Sequence, residues 1–284
     1  MRSKDSKNTK DRDVAVPVEL TPNQTVPAIE VENVAASVGG VTVVSGVQLS
    51  IPPGAKVALI GINGAGKSTL LRALAGIEKP AEGAVYLDGI PLHSIRAKKR
   101  AQLVSFVSQE ETPPADLTLE EMVALGRIPH RLSWAVSTAD EQPIVRAALS
   151  AVGLADRMKT SCDRLSGGER RRAMLARGLA QQTPVLFLDE PTNHLDISWT
   201  LQMLNLIRSL SGTVIVAMHD LDLVMRYFDH VVVLNRNRMT ASGHPIDVFT
   251  PEFMNDTFGV EAEQIEHPKT SRIHLIINDV STRK

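Results

Sequence analysis

The sequence predicts an α/β fold with three parts: a parallel sheet covered by helices on both faces, a small antiparallel β subdomain and a helical insertion. In the second half of the chain, apolar runs of strand length alternate with segments of helical spacing. Strands that are buried on both faces of a parallel sheet have this continuous apolar character. The predicted strands cover residues 184–189, 212–218 and 231–234, and the predicted helices cover residues 169–180, 199–210 and 221–227.

The first half of the chain supplies the other two parts of the prediction. At residues 29–51 and 84–89, short alternating stretches are broken by glycines, which is typical of antiparallel strands joined by turns. Thr118 and Glu121 have the spacing of a capping box that starts a helix, and Gly153 ends a second helix. We therefore expect a mostly helical insertion over residues 110–163.

Composition excludes several classes of protein. The 284 residues are 43% hydrophobic, enough for one large domain with a subdomain. Lys and Arg number 31 against 32 Asp and Glu, so the strongly basic balance of a nucleic-acid binder is absent and no such partner is expected. Cys162 is the one cysteine, which predicts a reducing compartment. No apolar run approaches the roughly 20 residues that cross a bilayer.

The chain divides into three segments on these grounds. Residues 1–25 are polar and charged, lack the apolar centre of a secretory signal, and are interpreted as a flexible tail. Residues 26–260 form the main domain, which includes the helical insertion. Residues 261–284 form a C-terminal extension.

A glycine-rich loop at residues 61–69 fits the pattern G-x-x-x-x-G-K-[ST] between a predicted strand and a predicted helix. Its glycines let backbone N–H groups point at phosphate oxygens, and the helix adds its positive end. We expect Lys67 to reach the β- and γ-phosphates and the Ser68 hydroxyl to bind Mg²⁺. The candidate ATP-binding residues of this loop are Gly61, Asn63, Gly64, Ala65, Gly66, Lys67, Ser68 and Thr69.

Three further polar residues follow apolar strands. Asp189 and Glu190 end one strand, where the carboxyl ends of parallel strands form a ligand-binding crevice. We expect Asp189 to bind Mg²⁺ and Glu190 to orient or deprotonate the attacking water. His219 follows the next strand and could bond a γ-phosphate. Gln109 follows residues 103–107 and could touch the metal or its water, although a polar loop residue is the simpler interpretation of it alone.

A second glycine-rich turn opens a helix at residues 165–169. One phosphate loop holds one nucleotide, so this second turn predicts either a second nucleotide or a second copy of the chain. The arginines at residues 170–172 that follow are interpreted as a solvated helix face.

The order of these elements resembles that of the ATP-binding-cassette (ABC) transporter ATPases over residues 28–260. The phosphate loop is similar to their first phosphate motif, Gln109 to their Q-loop, and His219 to their switch histidine. Asp189 and Glu190 match the end of their second motif. Their signature sequence is similar to Leu165, Ser166, Gly167, Gly168 and Glu169, and their D-loop to Asn193, His194, Leu195 and Asp196.

The resemblance implies a P-loop NTPase core with ATP and Mg²⁺ as cofactors. In that family two copies pack head to tail, and the signature Ser166, Gly167 and Gly168 of one copy would cap the ATP held by the other. The helical insertion would face an integral membrane permease. The chain would then lie at the cytoplasmic face of the membrane and act indirectly with a secreted or periplasmic binding protein.

The cargo is predicted from three shorter segments. Residues 125–131 and 192–197 resemble importers of iron–siderophore, heme and cobalamin complexes, whereas residues 227–236 resemble manganese and zinc importers. We favour an ATPase that drives uptake of an iron chelate. A manganese or zinc importer and a soluble ABC ATPase unconnected with transport are the alternatives, as is a regulator that does not hydrolyse ATP, against which Glu190 argues.

One departure from the family concerns the adenine base. The family usually has an aromatic residue just before a glycine pair, where it stacks on adenine. Val38 occupies the matching position before Gly39 and Gly40. An aliphatic side chain can pack on a purine but lacks the stacking contribution.

Overall fold

The computed structural model describes residues 25–109, 111, 113–131, 141–193 and 195–281. Nearly all of the predicted tail, and His194 of the predicted D-loop, lie outside these residues. The strands are β1 (Ile29–Val38), β2 (Val41–Ile51), β3 (Lys56–Gly61), β4 (Glu82–Leu87), β5 (Ile90–Pro91), β6 (Val104–Val107), β7 (Val185–Asp189), β8 (Thr213–Ala217), β9 (His230–Asn235), β10 (Arg238–Gly243), β11 (Val260–Glu266) and β12 (Ile273–Val280).

Helices cover the sheet and build the insertion. They are α1 (Lys67–Leu74), α2 (Ala97–Leu103), α3 (Leu119–Ala124), α4 (Gln142–Ala151), α5 (Gly167–Ala180), α6 (Ile197–Ser209), α7 (Leu221–Tyr227), α8 (Pro245–Val248) and α9 (Pro251–Phe258). Short 3₁₀ turns lie at Leu92–Ser94, Leu125–His130, Ala155–Arg157 and Cys162–Arg164.

One large sheet runs in the order β5-β4-β1-β2-β10-β9-β3-β8-β7-β6. The strands β9, β3, β8, β7 and β6 are parallel neighbours, and β5, β4, β1 and β2 are antiparallel neighbours. Strand β10 joins the two groups, because it is antiparallel to β9 and bridges to β2 at Arg238 and Ser45. The predicted α/β fold, with its parallel and antiparallel parts, is confirmed.

Both faces of the parallel strands are buried, as the alternation along β7 illustrates. Val185 and Phe187 belong to the apolar cluster that contains Leu70 and Leu71 of α1. Leu186 and Leu188 belong instead to the cluster that contains α3 to α7. Since side chains alternate along a strand, Asp189 leaves β7 on the α1 face. That face carries the phosphate loop.

Two helices begin earlier than the sequence pattern predicts, because polar residues cap them. The predicted helix at residues 169–180 starts at Gly167, since the Ser166 side chain accepts a hydrogen bond from the backbone N–H of Glu169. The predicted helix at residues 199–210 starts at Ile197, since Asp196 caps the N–H of Trp199. The apolar pattern begins only after the cap, so apolar periodicity alone places the start too late.

The C-terminal residues form an antiparallel hairpin of β11 and β12 on α7 and α9. One attachment is Asp222 in the first turn of α7, which accepts a hydrogen bond from the Leu275 N–H and lies 3.1 Å from His274 Nδ1. Ala262 and Leu275 are buried beneath it. The hairpin therefore rests on the helix that follows His219.

Candidate nucleotide site

The phosphate loop joins β3 to α1 with a backbone that only glycine suits. Gly66 caps α1 at a φ of 88°, and a Cβ there would come within 2.4 Å of Val44 Cγ2. Lys67 is 6% exposed, and its Nζ donates to the Gly61 carbonyl at 3.0 Å and lies 3.7 Å from Glu190 Oε1. The chain thus supplies a buried ammonium group at the mouth of the loop.

A hydroxyl and a carboxylate meet beside this lysine. Ser68 Oγ donates to Asp189 Oδ1 at 3.0 Å. Burial raises the pKa of Asp189, and the hydrogen bond from Ser68 offsets part of that effect. Two hard oxygen donors at this spacing fit the first coordination sphere of Mg²⁺, and a divalent cation there would relieve the cost of the buried charge.

Glu190 has the left-handed backbone conformation, with a φ of 46°. That region is uncommon for residues other than glycine, and such outliers often lie at functional sites. The carboxylate faces Lys67 and accepts a hydrogen bond from Asn193 Nδ2. Because of this departure from strand geometry, the Glu190 side chain does not point where the alternation of side chains along β7 would place it.

His219 and Gln109 lie at the same edge of the sheet. His219 is exposed just after β8 and lines a groove with Gly61 and Asn63 of the phosphate loop. Gln109 follows β6 and lines a cavity shared with Asp189 and Glu190. The polar residues that the sequence placed at strand ends thus lie at one edge of the sheet, with Gln109, Asp189 and Glu190 in one cavity and His219 in a groove beside the phosphate loop.

The second glycine-rich turn has a fixed backbone and an exposed face. Ser166 and Glu169 form a reciprocal capping box, and Arg157 forms an ion pair with Glu169. Hydrogen bonds from Ser166, the backbone one first, lower the pKa of Glu169. Leu165 is buried, whereas Ser166 and Gly167 are exposed. A Cβ on Gly167 would meet no atom within 4 Å in the part of the chain that the structure describes.

Val38 lies at the exposed tip of the β1–β2 hairpin. It pairs with Val41 across Gly39 and Gly40, and the two valines are 57% and 69% exposed. Strand β2 then passes the phosphate loop, where the side chains of Val43 and Val44 approach Gly66. The hairpin tip is therefore an apolar surface open to solvent.

Sequence reasoning missed the contacts made by the arginines that follow the second turn. Arg171 donates to the Asn193 carbonyl, and the Arg172 guanidinium stacks 3.7 Å above the Trp199 ring. Both arginines are only partly exposed, so the prediction of a solvated helix face is wrong for them. A pattern of like charges does not reveal that α6 and the segment before it pack on this side of α5.

A phosphate loop beside a buried strand that ends in acidic residues defines a nucleotide-hydrolysing α/β protein of the P-loop class. The family model for ABC transporters matches residues 44–193. The chain belongs to the ABC transporter family and carries its ATPase domain, which binds ATP; ATP hydrolysis is the activity of this family. Among the described residues, none of the helices is long and apolar enough to cross a membrane.

Two curated relatives and one solved structure illustrate the match. The ferric enterobactin transport ATP-binding protein FepC of Escherichia coli (strain K12) is 35% identical over 86% of this chain and 92% of its own length. The iron(3+)-hydroxamate import ATP-binding protein FhuC of Bacillus subtilis (strain 168) is 32% identical over 86% and 93%. A dimeric ATP-binding cassette bound to ADP and Pi in a post-hydrolysis state is 28% identical over 76% of this chain and 98% of its own, with a TM-score of 0.69.

Proposed function

We propose that this chain is the ATP-hydrolysing subunit of a membrane importer that takes up an iron chelate of the siderophore or heme type. The names of the relatives supply the cargo class: FepC serves ferric enterobactin transport and FhuC serves iron(3+)-hydroxamate import. The observation that carries the mechanism is the exposed Gly167, where an added Cβ would meet no atom of the described residues within 4 Å. A glycine with open space on its own molecule is explained by close approach of something else.

The phosphate-loop half binds one ATP in this proposal. The loop N–H groups and Lys67 hold the phosphates, and Val38 packs on the adenine. Ser68, Asp189 and Gln109 would hold Mg²⁺, which supplies charge neutralisation at the β- and γ-phosphates. The 3.0 Å contact between Ser68 and Asp189 supports this assignment.

Glu190 and His219 act on the γ-phosphate end of the same crevice. The Glu190 carboxylate orients the attacking water and accepts its proton, while Lys67 and Asn193 hold that carboxylate in place. His219 bonds the γ-phosphate and senses its loss. The groove that His219 shares with the phosphate loop supports this role.

The signature half completes a second copy's site. Two chains pack head to tail, and Ser166, Gly167 and Gly168 of one chain cover the ATP of the other. Leu165 and Glu169 fix the turn from within its own chain, and the D-loop residues Asn193, Leu195 and Asp196 lie between the two half-sites. Hydrolysis removes the shared γ-phosphate contact and lets the pair reopen.

The remaining partners follow from transport. The helical insertion, within residues 110–163 of the domain at 26–260, docks on an integral membrane permease at the cytoplasmic face of the membrane. A secreted or periplasmic binding protein delivers the chelate to the permease. This peripheral location accords with a chain whose described helices include none able to span a bilayer.

Replacement of Glu190 by Gln tests this proposal. We expect ATP turnover to fall about 100-fold or more, because general base catalysis contributes that much, and we expect an ATP-bound dimer to accumulate. Phosphate release and light scattering measure the two outcomes. Glu252→Gln is the matched control, since Glu252 is exposed in α9, and it should change neither. Unchanged turnover in Glu190→Gln would remove Glu190 from the role of base.

The cargo needs a separate experiment. Deletion of the gene should abolish growth on iron–siderophore or heme as the iron source, while uptake of free manganese and zinc stays normal. Loss of manganese or zinc uptake alone would favour the other importer class. If the deletion strain takes up all these metals normally and the purified protein hydrolyses ATP, a soluble ABC ATPase would be favoured.

A further inference from the structure

The 3₁₀ turn Leu125–His130 lies on the C-terminal end of α5, the helix whose other end carries the exposed Gly167. Gly126 shows how closely the two pack, because a Cβ there would come within 2.3 Å of the Arg177 carbonyl oxygen. The turn therefore rests directly on the last turn of α5.

Arg127 and His130 bind the carbonyl groups at that helix end. Arg127 is 8% exposed and its Nη1 donates to the Ala180 carbonyl at 2.8 Å and to Gln182 Oε1 at 3.1 Å. His130 Nε2 lies 2.7 Å from the Gln181 carbonyl oxygen, and it must donate because a carbonyl can only accept. The last carbonyls of a helix lack partners within the helix, so these contacts satisfy them.

Charge at this position favours the arrangement. A helix C-terminus carries a partial negative charge, which a buried guanidinium complements. Glu141, itself 9% exposed, lies 4.0 Å from Arg127 Nε and balances the added positive charge. Burial, and secondarily Arg127, lowers the pKa of His130, so the imidazole binds as a neutral donor at neutral pH.

The same turn is also hydrogen-bonded to α2, and the end of α5 is hydrogen-bonded to α2 and to the start of β6. Gln102 Nε2 donates to the Pro129 carbonyl at 2.8 Å. Gln181, just past α5, donates through its own Nε2 to the Ala101 carbonyl at 2.6 Å and the Val104 carbonyl at 3.0 Å. Strand β6 leads to Gln109, so one set of hydrogen bonds links the end of α5 to the strand that positions the crevice residue.

We propose that Arg127 and His130 are positioning residues that fix α5 by its C-terminal end and thereby set where Ser166, Gly167 and Gly168 are presented. Helix α5 has 14 residues, and as a rigid rod of about 1.5 Å per residue it carries a displacement at one end to the other. This inference rests on the proposed role of those three residues in the second copy's site.

The experiment uses the full-length Glu190→Gln protein, which is expected to form an ATP-bound dimer. His130→Ala should raise the ATP concentration for half-maximal dimerisation about fivefold, and Arg127→Met about tenfold, because each leaves buried carbonyls unsatisfied. Binding of a fluorescent ATP analogue to the dilute monomer should stay unchanged, since the phosphate loop lies outside these contacts. This separation of dimerisation from nucleotide binding distinguishes positioning from a general structural role.

Conservative variants and a matched control complete the design. His130→Gln and Arg127→Lys each keep an N–H donor and should restore most of the dimerisation. Arg208→Met, in the last turn of α6, removes an exposed arginine that has no hydrogen bond to the described residues, and should have no effect. If Arg127→Met fails to fold, the pair His130→Ala and His130→Gln carries the test.

Two results would overturn the inference. His130→Ala could dimerise at the parental ATP concentration, or it could lose monomer nucleotide binding and thermal stability together with dimerisation, without rescue by Gln. Failure of the Glu190→Gln parent itself to dimerise while it binds ATP would instead overturn the proposed two-chain site, and this inference with it.

Discussion

The phosphate-loop half and the signature half of the proposed ATP site differ in how far their own chain completes them. Lys67 and Ser68 are already bound to Gly61, Asp189 and Glu190 within the molecule. At the signature half, the capping box fixes the backbone of residues 166–169, but the face that carries Gly167 is open. Among the described residues, none of the hydrogen bonds or ion pairs connects residues 165–169 with residues 61–69.

Gly66 and Gly167 show this difference between the two halves most clearly. Gly66 is required by its own chain, because its φ is 88° and Val44 occupies the space that a side chain would need. Gly167 has an ordinary backbone conformation and open space around it. The fold therefore explains the first glycine, whereas the second is explained by the approach of a second copy that we propose.

The same substitution at both glycines gives the largest expected effect. Gly66→Val should destabilise the fold by about 3 kcal/mol, because a β-branched side chain meets both strain and overlap there. Gly167→Val should leave thermal stability and monomer ATP binding nearly unchanged, yet lower ATP turnover about 100-fold by blocking the second copy. Thermal unfolding, fluorescent nucleotide binding and phosphate release measure these outcomes.

Each member of the pair is the control for the other. A Gly167→Val protein that hydrolyses ATP at the parental rate would show that this glycine faces solvent for reasons unrelated to ATP. A Gly167→Val protein that unfolds as readily as Gly66→Val would show that the turn is constrained within its own chain.

The carboxylates of Asp189 and Glu169 offer a second comparison of the two halves, because their pKa values shift in opposite directions. Burial raises the pKa of Asp189, so its charge destabilises the nucleotide-free fold, and stability is recovered as pH falls through that raised pKa. Hydrogen bonds lower the pKa of Glu169, so its charge stabilises the fold above pH about 4.5, and stability is lost as pH falls further.

Asp189→Asn and Glu169→Gln should therefore change thermal stability with opposite signs at pH 7. In the absence of nucleotide and divalent cations, Asp189→Asn should raise the Tm by a few degrees and Glu169→Gln should lower it. The difference for Asp189→Asn should shrink as the pH falls through the raised pKa of Asp189, whereas the difference for Glu169→Gln should persist to lower pH and shrink only below about 4.5, as the pH falls through the lowered pKa of Glu169. Calorimetry at several pH values measures this, and a lower Tm for Asp189→Asn at pH 7 would contradict the assignment of a costly buried charge.

The fold and the candidate residues could be predicted wherever the signal is local in sequence. The phosphate loop needs its glycines and Lys67 at fixed spacing, and the run from Val185 to Asp189 shows a buried strand that ends in an acid. The resemblance to the ABC family, which joined these motifs to the signature turn, is confirmed.

Other features depend on which segments meet in space, and the sequence pattern does not contain that information. The left-handed conformation of Glu190 follows from its surroundings, including Asn193 and Lys67. The contacts of Arg127 and His130 with the end of α5 join residues more than 50 positions apart, as in the pair Arg127 and Ala180. Helix α2 lacks buried residues, so it has no apolar stripe from which the sequence could predict it.

The smallest expected effect concerns Val38, the aliphatic residue that we propose packs on adenine. Val38 is 57% exposed, so a larger side chain fits without disturbing the core. Val38→Tyr should tighten ATP binding to the monomer about threefold, because stacking on an aromatic ring contributes roughly 0.5–1.5 kcal/mol beyond buried area.

The neighbouring Val41 supplies the matched control, since it is 69% exposed across the same turn. Val41→Tyr adds the same ring on the facing strand and should leave ATP affinity unchanged if Val38 alone faces the base. Titration with a fluorescent adenine nucleotide, and with the matching guanine nucleotide, measures both variants. Equal tightening by both tyrosines would mean that the hairpin tip gains affinity by general apolar contact, and Val38 would lose its place as the adenine-facing residue.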